Sequence, residues 1–206
     1  MARILFLAAN PLNTKPLKLD AEIRAIDQAL RRSEFGDQFD LRQHWAVRLD
    51  DLQGLLMRHR PDIVHFSGHG SLDNEIMLED DSRKRHPVPP EALSRVFSVL
   101  KDRIRCVVLN SCCSELQAKA IAEHIDSVVG MTNVVGDPAA SSIGDPAAIS
   151  FAAAFYEALG YGKDVKTAFE VGCSSLVLKD LKEKEKPRFF AMRGDPGKMV
   201  FAGGSR

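Results

Sequence analysis

Cysteine is scarce in this sequence, and its spacing does not match metal-binding motifs. Among the 206 residues there are four cysteines, Cys106, Cys112, Cys113 and Cys173. Four cysteines in apolar surroundings are too few for the disulfide framework of a small secreted protein, and no CxxC pair indicates a zinc site. We therefore expect four thiols, one of them a candidate for reactivity, and no bound metal.

An excess of charge of one sign and a long apolar run are also missing. Lys plus Arg and Asp plus Glu each number 28, so the formal net charge is zero. This balance provides no general electrostatic attraction for nucleic acid or for an anionic membrane. The longest uncharged stretch, residues 146–156, is too short to span a bilayer, and the opening residues lack the length of a signal peptide. We expect a cytoplasmic protein that binds neither nucleic acid nor membrane.

The loop after the first predicted strand contains no glycine. Residues 10–14 read Asn-Pro-Leu-Asn-Thr, whereas a backbone that cradles phosphate usually needs glycine at this place. This absence disfavours a flavodoxin-like nucleotide-binding domain.

Alternating strands and helices make up most of the chain. The composition, 45% hydrophobic and 27% charged, is that of one globular domain over residues 1–206. Apolar periodicity predicts strands at residues 3–9, 39–47, 62–67, 104–109, 127–131 and 188–192, helices at 18–33, 50–58, 90–101, 115–124, 149–159 and 164–179, and a hairpin within 71–88. This order predicts an α/β fold whose largely parallel sheet is covered by helices on both faces.

Two chemically active side chains follow buried strands. His69 comes directly after the strand 62–67, and Cys112 comes after the strand 104–109. Ligands of open parallel sheets bind beyond the carboxyl ends of the strands, so the imidazole and the thiol would meet there if these strands are neighbours. That is the geometry of a cysteine–histidine nucleophilic pair. The sequence therefore predicts His69 as general base and Cys112 as nucleophile.

The glycines on each side of His69 fit the same interpretation. Gly68 and Gly70 let the backbone turn sharply, and the Gly70 N–H can approach a substrate carbonyl because no side chain blocks it. A second donor would be the N–H of Cys112, near the start of the following helix. Together these two N–H groups would form an oxyanion hole.

Structural interpretations compete with these roles. A histidine at the end of a strand is often only a hydrogen-bonded structural residue, and Cys113 is a rival nucleophile or a small buried side chain. His65 is interpreted as a packing residue or a supporting partner. Cys106 and Cys173 are assigned to the core because free cysteine usually behaves as a buried apolar residue. The remaining histidines are interpreted as surface residues, namely His44, His59, His86 and His124.

The stretch "VHFSGHG" followed by "VVLNSCCSE" resembles the bacterial CHAT family of caspase-like cysteine peptidases. "ILFLAANP", "LKLDAEIRAI", "VVGMTN" and "GDPAAISFAAAFYEALGYGKDV" resemble other parts of that family. The resemblance implies a caspase-like three-layer sandwich and a cytoplasmic endopeptidase without cofactor, in which His69 is the base and Cys112 the nucleophile. It also implies a protein or peptide substrate, control by a regulatory protein or partner domain, and a role in bacterial stress or antiviral defence.

Three residues are predicted to bind the substrate, namely Asn110, Asp137 and Asp145. The Q-A-C-R-G signature of caspases is absent, and Asn110 stands two positions before Cys112, where relatives that cut after basic residues often carry Asp. A carboxylate for an Arg or Lys side chain could come instead from Asp145, or from Asp137 in an echoed Gly-Asp-Pro-Ala-Ala segment. The competing interpretation is that each Asp only caps a helix and each Pro begins one.

A function of another class stays open at this point. The chain could be a catalytically inactive interaction module that keeps the caspase-like shape and binds a regulatory partner. Replacing Cys112 by Ala separates the two, because only a peptidase loses cleavage when its nucleophile is removed.

Overall fold

The computed structural model describes residues 1–132, 145–181 and 185–203. Within these ranges the helices are α1 (Leu19–Arg32), α2 (Leu49–His59), α3 (Pro90–Leu100), α4 (Glu115–Ala122), α5 (Asp145–Gly160) and α6 (Val165–Leu178). The strands are β1 (Ala2–Ala9), β2 (Phe39–His44), β3 (Ile63–Gly68), β4 (Ile76–Glu79), β5 (Arg85–Val88), β6 (Cys106–Asn110), β7 (Ser127–Met131) and β8 (Pro187–Phe190).

The main sheet has the strand order β2-β1-β3-β6-β7-β8. The first five strands of this order are parallel, and β8 pairs antiparallel with β7. One face of the sheet packs against α1, α5 and α6, and the other packs against α2, α3 and α4. This arrangement confirms the predicted α/β fold, a mostly parallel sheet between two layers of helices.

The central strands are buried on both faces because their sequences are apolar almost throughout. Every residue of β3 and β6 is buried, as expected of parallel strands covered by helices. Helix α1 buries Leu19, Ile23 and Ile26 at three- and four-residue steps, which is the periodicity of one helix face.

The edge strand β2 is shorter than predicted. It ends at His44 rather than at residue 47, and Ala46 has a left-handed φ of 53°. A left-handed residue turns the chain away from an extended path, so the alternation around Trp45 does not continue the strand.

The predicted hairpin is confirmed as the antiparallel pair β4 and β5. It is tied to the segment that follows β3 by an antiparallel bridge between Gly70 and Ile76. No helix among the described residues is both long and apolar enough to cross a membrane.

The four histidines interpreted as surface residues are all partly exposed, and two of them, His44 and His59, face each other. Both side chains are partly buried, and their Nε2 atoms lie 2.8 Å apart, between the end of β2 and the end of α2. At this distance one imidazole donates to the other, so the pair holds at most one proton between the two facing nitrogens.

Candidate active site

The two strands that precede His69 and Cys112 are neighbours in the sheet. β3 and β6 are parallel, and their register pairs Ser67 with Asn110. His69 directly follows the end of β3, and Cys112 lies two residues beyond the end of β6, so both residues lie at the carboxyl edge of the sheet. Cys112 is partly buried and packs against the core on the face of the sheet that carries α1 and α5.

Gly70 brings the two segments into contact. A Cβ atom at Gly70 would lie 1.8 Å from the carbonyl oxygen of Cys112 and 2.9 Å from its carbonyl carbon. Neither Gly68 nor Gly70 has a left-handed φ, so the sharp turn expected from the sequence is not the reason for these glycines. The reason is close packing of backbone against backbone, which any side chain at Gly70 would prevent.

The backbone hydrogen bonds around Gly70 orient its N–H group. The N–H of Met77 donates to the carbonyl of His69 at 2.9 Å, and the N–H of Ser71 donates to Glu75 at 2.8 Å. These two bonds flank the bridge between Gly70 and β4, and in such a pair the N–H of the bridging residue points away from the partner strand. The Gly70 N–H is therefore directed away from β4.

A serine hydroxyl shapes the turn that carries Cys112. The Ser114 Oγ lies 3.0 Å from the carbonyl oxygen of Leu109 and 2.9 Å from that of Ser111, and it accepts the N–H of Met131 at 3.0 Å. Cys113 has a left-handed φ of 53°, which is uncommon for a residue with a side chain. The turn between β6 and α4 is thus held from both of its ends and from β7.

Cys112 does not belong to the first turn of α4. That helix begins at Glu115 with Ser114 as its N-cap, so the N–H of Cys112 lies before the unpaired N–H groups of the helix. The oxyanion donor expected at Cys112 would therefore come from the turn before α4 and not from the helix end itself.

The other three thiols are in settings that disfavour the thiolate. Burial raises the pKa of Cys106 to about 12 and that of Cys173 to about 11. Burial also raises the pKa of Cys113, and nearby Cys112 raises it further while Lys186 lowers it. Because the thiolate is the nucleophile, Cys113 is a poor rival, and the assignment of Cys106 and Cys173 to the core fits their packing.

A buried polar cluster lies directly beneath the ends of β3 and β6. Both oxygens of the Glu22 carboxylate are used: His65 Nε2 at 2.7 Å and Asn110 Nδ2 at 2.7 Å donate to Oε1, and the Ser67 hydroxyl donates to Oε2 at 2.6 Å. The other imidazole nitrogen of His65, Nδ1, lies 3.1 Å from the Tyr156 hydroxyl. This Glu22 cluster consists of Glu22, His65, Ser67, Asn110 and Tyr156, all of them buried.

The proton positions in the Glu22 cluster follow from its donors and acceptors. Burial raises the pKa of Tyr156, and Cys106 and Glu22 raise it further, so the phenol keeps its proton and can donate to His65 Nδ1. When Nδ1 accepts from the phenol, Nε2 of the same ring carries the hydrogen that is donated to Glu22. His65 is therefore a supporting partner within the cluster, which is one of its two sequence interpretations.

The residues proposed to bind substrate are spread over different surroundings. Asn110 is buried, and its amide nitrogen also donates to the carbonyl of Ala148 at 3.1 Å, so this side chain joins β6 to α1 and α5. Asp145 is the first residue of α5. Asp137 lies outside the described residues.

Sequence reasoning missed Glu22 and Tyr156, although the pattern contained a signal for the first. Glu22 is three residues after Leu19 and four before Ile26, so it falls on the buried face of α1. A carboxylate on such a face needs hydrogen-bond partners, which predicts polar side chains on the strands below it.

Solved structures with a similar fold include a caspase and a cysteine protease. Its fold resembles caspase-1 from Spodoptera frugiperda, with a TM-score of 0.61, 13% identity and coverage of 98% of this chain and 89% of that one. It also resembles a secreted C11 cysteine protease from Bacteroides thetaiotaomicron in complex with an irreversible peptide inhibitor, with a TM-score of 0.57, 11% identity and coverage of 86% and 59%. At these identities the likeness establishes the fold.

Two relatives in sequence are named as proteases. A probable protease of Gillisia limnaea is 26% identical over 167 residues, 79% of this chain and 28% of that protein. A Roc-COR-CHAT protease from an unknown prokaryotic organism is 26% identical over 181 residues, 84% of this chain and 16% of that protein. The chain thus spans less than a third of either relative. The sequence model of the CHAT domain matches residues 7–189, and the protein therefore belongs to the CHAT domain family.

Proposed function

We propose that this protein is a caspase-like cysteine endopeptidase in which His69 and Cys112 act as a catalytic dyad. The observation that carries the proposal is the contact of Gly70 with the Cys112 backbone, above two neighbouring parallel strands. Membership of a family with protease-named relatives supports the same reaction class.

The reaction follows from the roles of the two side chains. His69 takes the proton of the Cys112 thiol, and the sulfur attacks the carbonyl carbon of the scissile peptide bond. The N–H groups of Gly70 and Cys112 hold the resulting oxyanion. His69 then gives its proton to the leaving amine, the C–N bond breaks, and water hydrolyses the thioester with His69 again as base. These steps require no metal or organic cofactor.

For the substrate, we propose a protein or peptide with a basic residue before the scissile bond. The segment Gly-Asp-Pro-Ala-Ala occurs twice in the sequence: Asp137 belongs to the first copy, and Asp145 belongs to the second copy and is the first residue of α5. Either carboxylate would pair with a guanidinium or ammonium group. A preference for Asp before the scissile bond would contradict this part of the proposal.

We also propose that a partner controls the activity. The relatives are several times longer than the segment that this chain matches, and the name of one includes further Roc and COR domains. A regulatory protein or domain, and a role in bacterial stress or antiviral defence, are what the family resemblance implies for this protein.

The test is cleavage of a peptide library by the purified protein and by two variants. Cys112→Ala and His69→Ala should each abolish measurable cleavage, because a dyad loses nearly all turnover with either member. Cys173→Ala is the matched control, since it removes a partly buried thiol whose pKa of about 11 keeps it protonated, and it should cleave at the normal rate.

Two outcomes would contradict the dyad. If Cys112→Ala cleaves at the rate of the unchanged protein, Cys112 is not the nucleophile. If no peptide or protein is cleaved under any condition while binding to a partner persists in Cys112→Ala, the chain is an interaction module instead.

A further inference from the structure

The Glu22 cluster connects the two strands that carry the dyad. Ser67 and Asn110 are register partners on β3 and β6, and each stands two residues before His69 or Cys112 in the sequence. Ser67 and Asn110 are therefore the last register partners of the two strands before the segments that carry His69 and Cys112.

A single carboxylate from a third element joins this pair. Glu22 is 2% exposed, and its two oxygens accept from Ser67 on β3 and from Asn110 on β6 at 2.6 and 2.7 Å. His65, two residues before Ser67 on β3, donates to the same carboxylate at 2.7 Å. These three hydrogen bonds are short, between 2.6 and 2.7 Å, so Glu22 resists any sliding of β3 against β6 at this level.

We propose that Glu22 is a positioning residue, whose hydrogen bonds to β3 and β6 set the spacing between His69 and Cys112. This inference rests on the proposed function, because it assigns Glu22 to the geometry of that dyad. A displacement of about 1 Å between reacting groups can lower a catalytic rate by about 100-fold. The main sheet alone fixes the strands only up to Asn110, where β6 ends.

The test compares Glu22→Ala with Glu79→Ala. Glu79 is the matched control because it is also a buried carboxylate, 1% exposed and hydrogen-bonded to the N–H of Asn10 and to Arg83, yet it lies on β4 and does not join β3 to β6. Thermal unfolding first establishes that both variants are folded. Kinetics with a peptide substrate then give kcat and KM for each.

The expected result is a loss that is specific to turnover. Glu22→Ala should lower kcat about 100-fold and leave KM within about threefold, because substrate contacts remain. Glu79→Ala should keep kcat within about threefold, as expected for a site away from the reacting groups. Equal losses in the two variants would mean that Glu22 contributes only general stability, which overturns the proposal.

A second measurement does not depend on a substrate. The rate at which iodoacetamide alkylates Cys112 reports the thiolate, and the slowing caused by His69→Ala reports how strongly the imidazole promotes it. This slowing should be large in the otherwise unchanged protein and in Glu79→Ala, and nearly absent in Glu22→Ala. If it persists in Glu22→Ala, the proposal is wrong.

The alkylation test also separates the two proposals from each other. If the protein cleaves no peptide but His69→Ala slows alkylation only when Glu22 is present, the proposed peptidase fails and the positioning role stands. If His69→Ala never slows alkylation, no coupled pair exists for Glu22 to position, and the inference fails with it.

Two further variants keep the inference testable if Glu22→Ala does not fold. Ser67→Ala removes one of the two hydrogen bonds from β3 to Glu22 and leaves that of His65, so it should also weaken, in part, the effect of His69 on the alkylation of Cys112. Glu22→Gln should restore kcat to within about fivefold of the original, because its amide oxygen accepts from His65 and Asn110 while its NH₂ donates to a reoriented Ser67 hydroxyl. If His69→Ala slows the alkylation of Cys112 in the Ser67→Ala background as much as in the otherwise unchanged protein, the inference is overturned.

Discussion

Replacing Gly70 by Ala is a direct test of the close approach on which the candidate site depends. The added Cβ would lie 1.8 Å from the Cys112 carbonyl oxygen, whereas real Cβ contacts are essentially never under 3.0 Å. The two segments must therefore separate by about 1.2 Å, the difference between these distances. Both atoms in conflict are fixed to backbone, so no change of rotamer relieves the contact.

The magnitude of the effect follows from this displacement. A shift of about 1 Å between His69 and Cys112 is expected to lower kcat/KM about 100-fold, which corresponds to about 2.7 kcal/mol of transition-state free energy. The cost in folding free energy is that of an overpacked site, about 1–3 kcal/mol. Because Gly70 has no left-handed φ, backbone strain adds nothing to this cost.

The assay measures kcat/KM for peptide cleavage and the midpoint of thermal unfolding in the same preparations. Gly54→Ala is the matched control, since Gly54 lies within α2 and an added Cβ would meet no atom within 4 Å. We expect Gly54→Ala to keep full activity and to gain about 0.5–1 kcal/mol of stability, the usual advantage of Ala over Gly within a helix.

The reasoning would be refuted by a folded Gly70→Ala variant that keeps its activity within a factor of about three. That result would mean either that the Cys112 loop moves without consequence or that the reacting groups lie elsewhere. A loss of activity in the Gly54→Ala control would also refute the reasoning, because turnover would then be lost without any new contact at the candidate site.

Three further predictions concern thiol identity, pH and helix capping. Cys113→Ala should keep activity within about threefold, because burial raises the pKa of that thiol; abolished cleavage would make Cys113 the nucleophile. Burial, followed by the charges of His44 and nearby arginines, lowers the pKa of His59 below its ordinary 6.5, so the folded state binds this proton less tightly and unfolding scans should show stability falling as pH drops below 6.5. That fall should be smaller in His59→Asn. If the pH dependence of stability is unchanged in this variant, titration of His59 is not its cause. Asp164→Ala should cost about 1 kcal/mol in denaturant unfolding, because Asp164 accepts the N–H of Thr167 at 2.9 Å at the start of α6; an unchanged midpoint would show that the cap contributes nothing.

The fold was predictable because its signals are local. Apolar runs identify β1, β3 and β6 as buried strands, and the three- and four-residue periodicity identifies α1. The differences occur where tertiary context decides the outcome. β2 lost its last three predicted residues to a left-handed turn at Ala46, and His44 and His59 face each other because a strand end and a helix end meet.

Only part of the candidate site was predictable from the sequence. The positions of its residues along the chain are visible there, but the order of the strands in the sheet is not. The positions of His69 and Cys112 after strands can be read from neighbouring residues, but their approach requires β3 and β6 to be adjacent, which spacing along the chain does not determine. Glu22 is separated from His65 by 43 residues and from Asn110 by 88. Its place on an apolar helix face predicts some buried partner, yet only the order of the strands identifies that partner. The positioning role that we propose for Glu22 has the same dependence, because a dyad divided between two strands would need a third element to hold the strand ends in register.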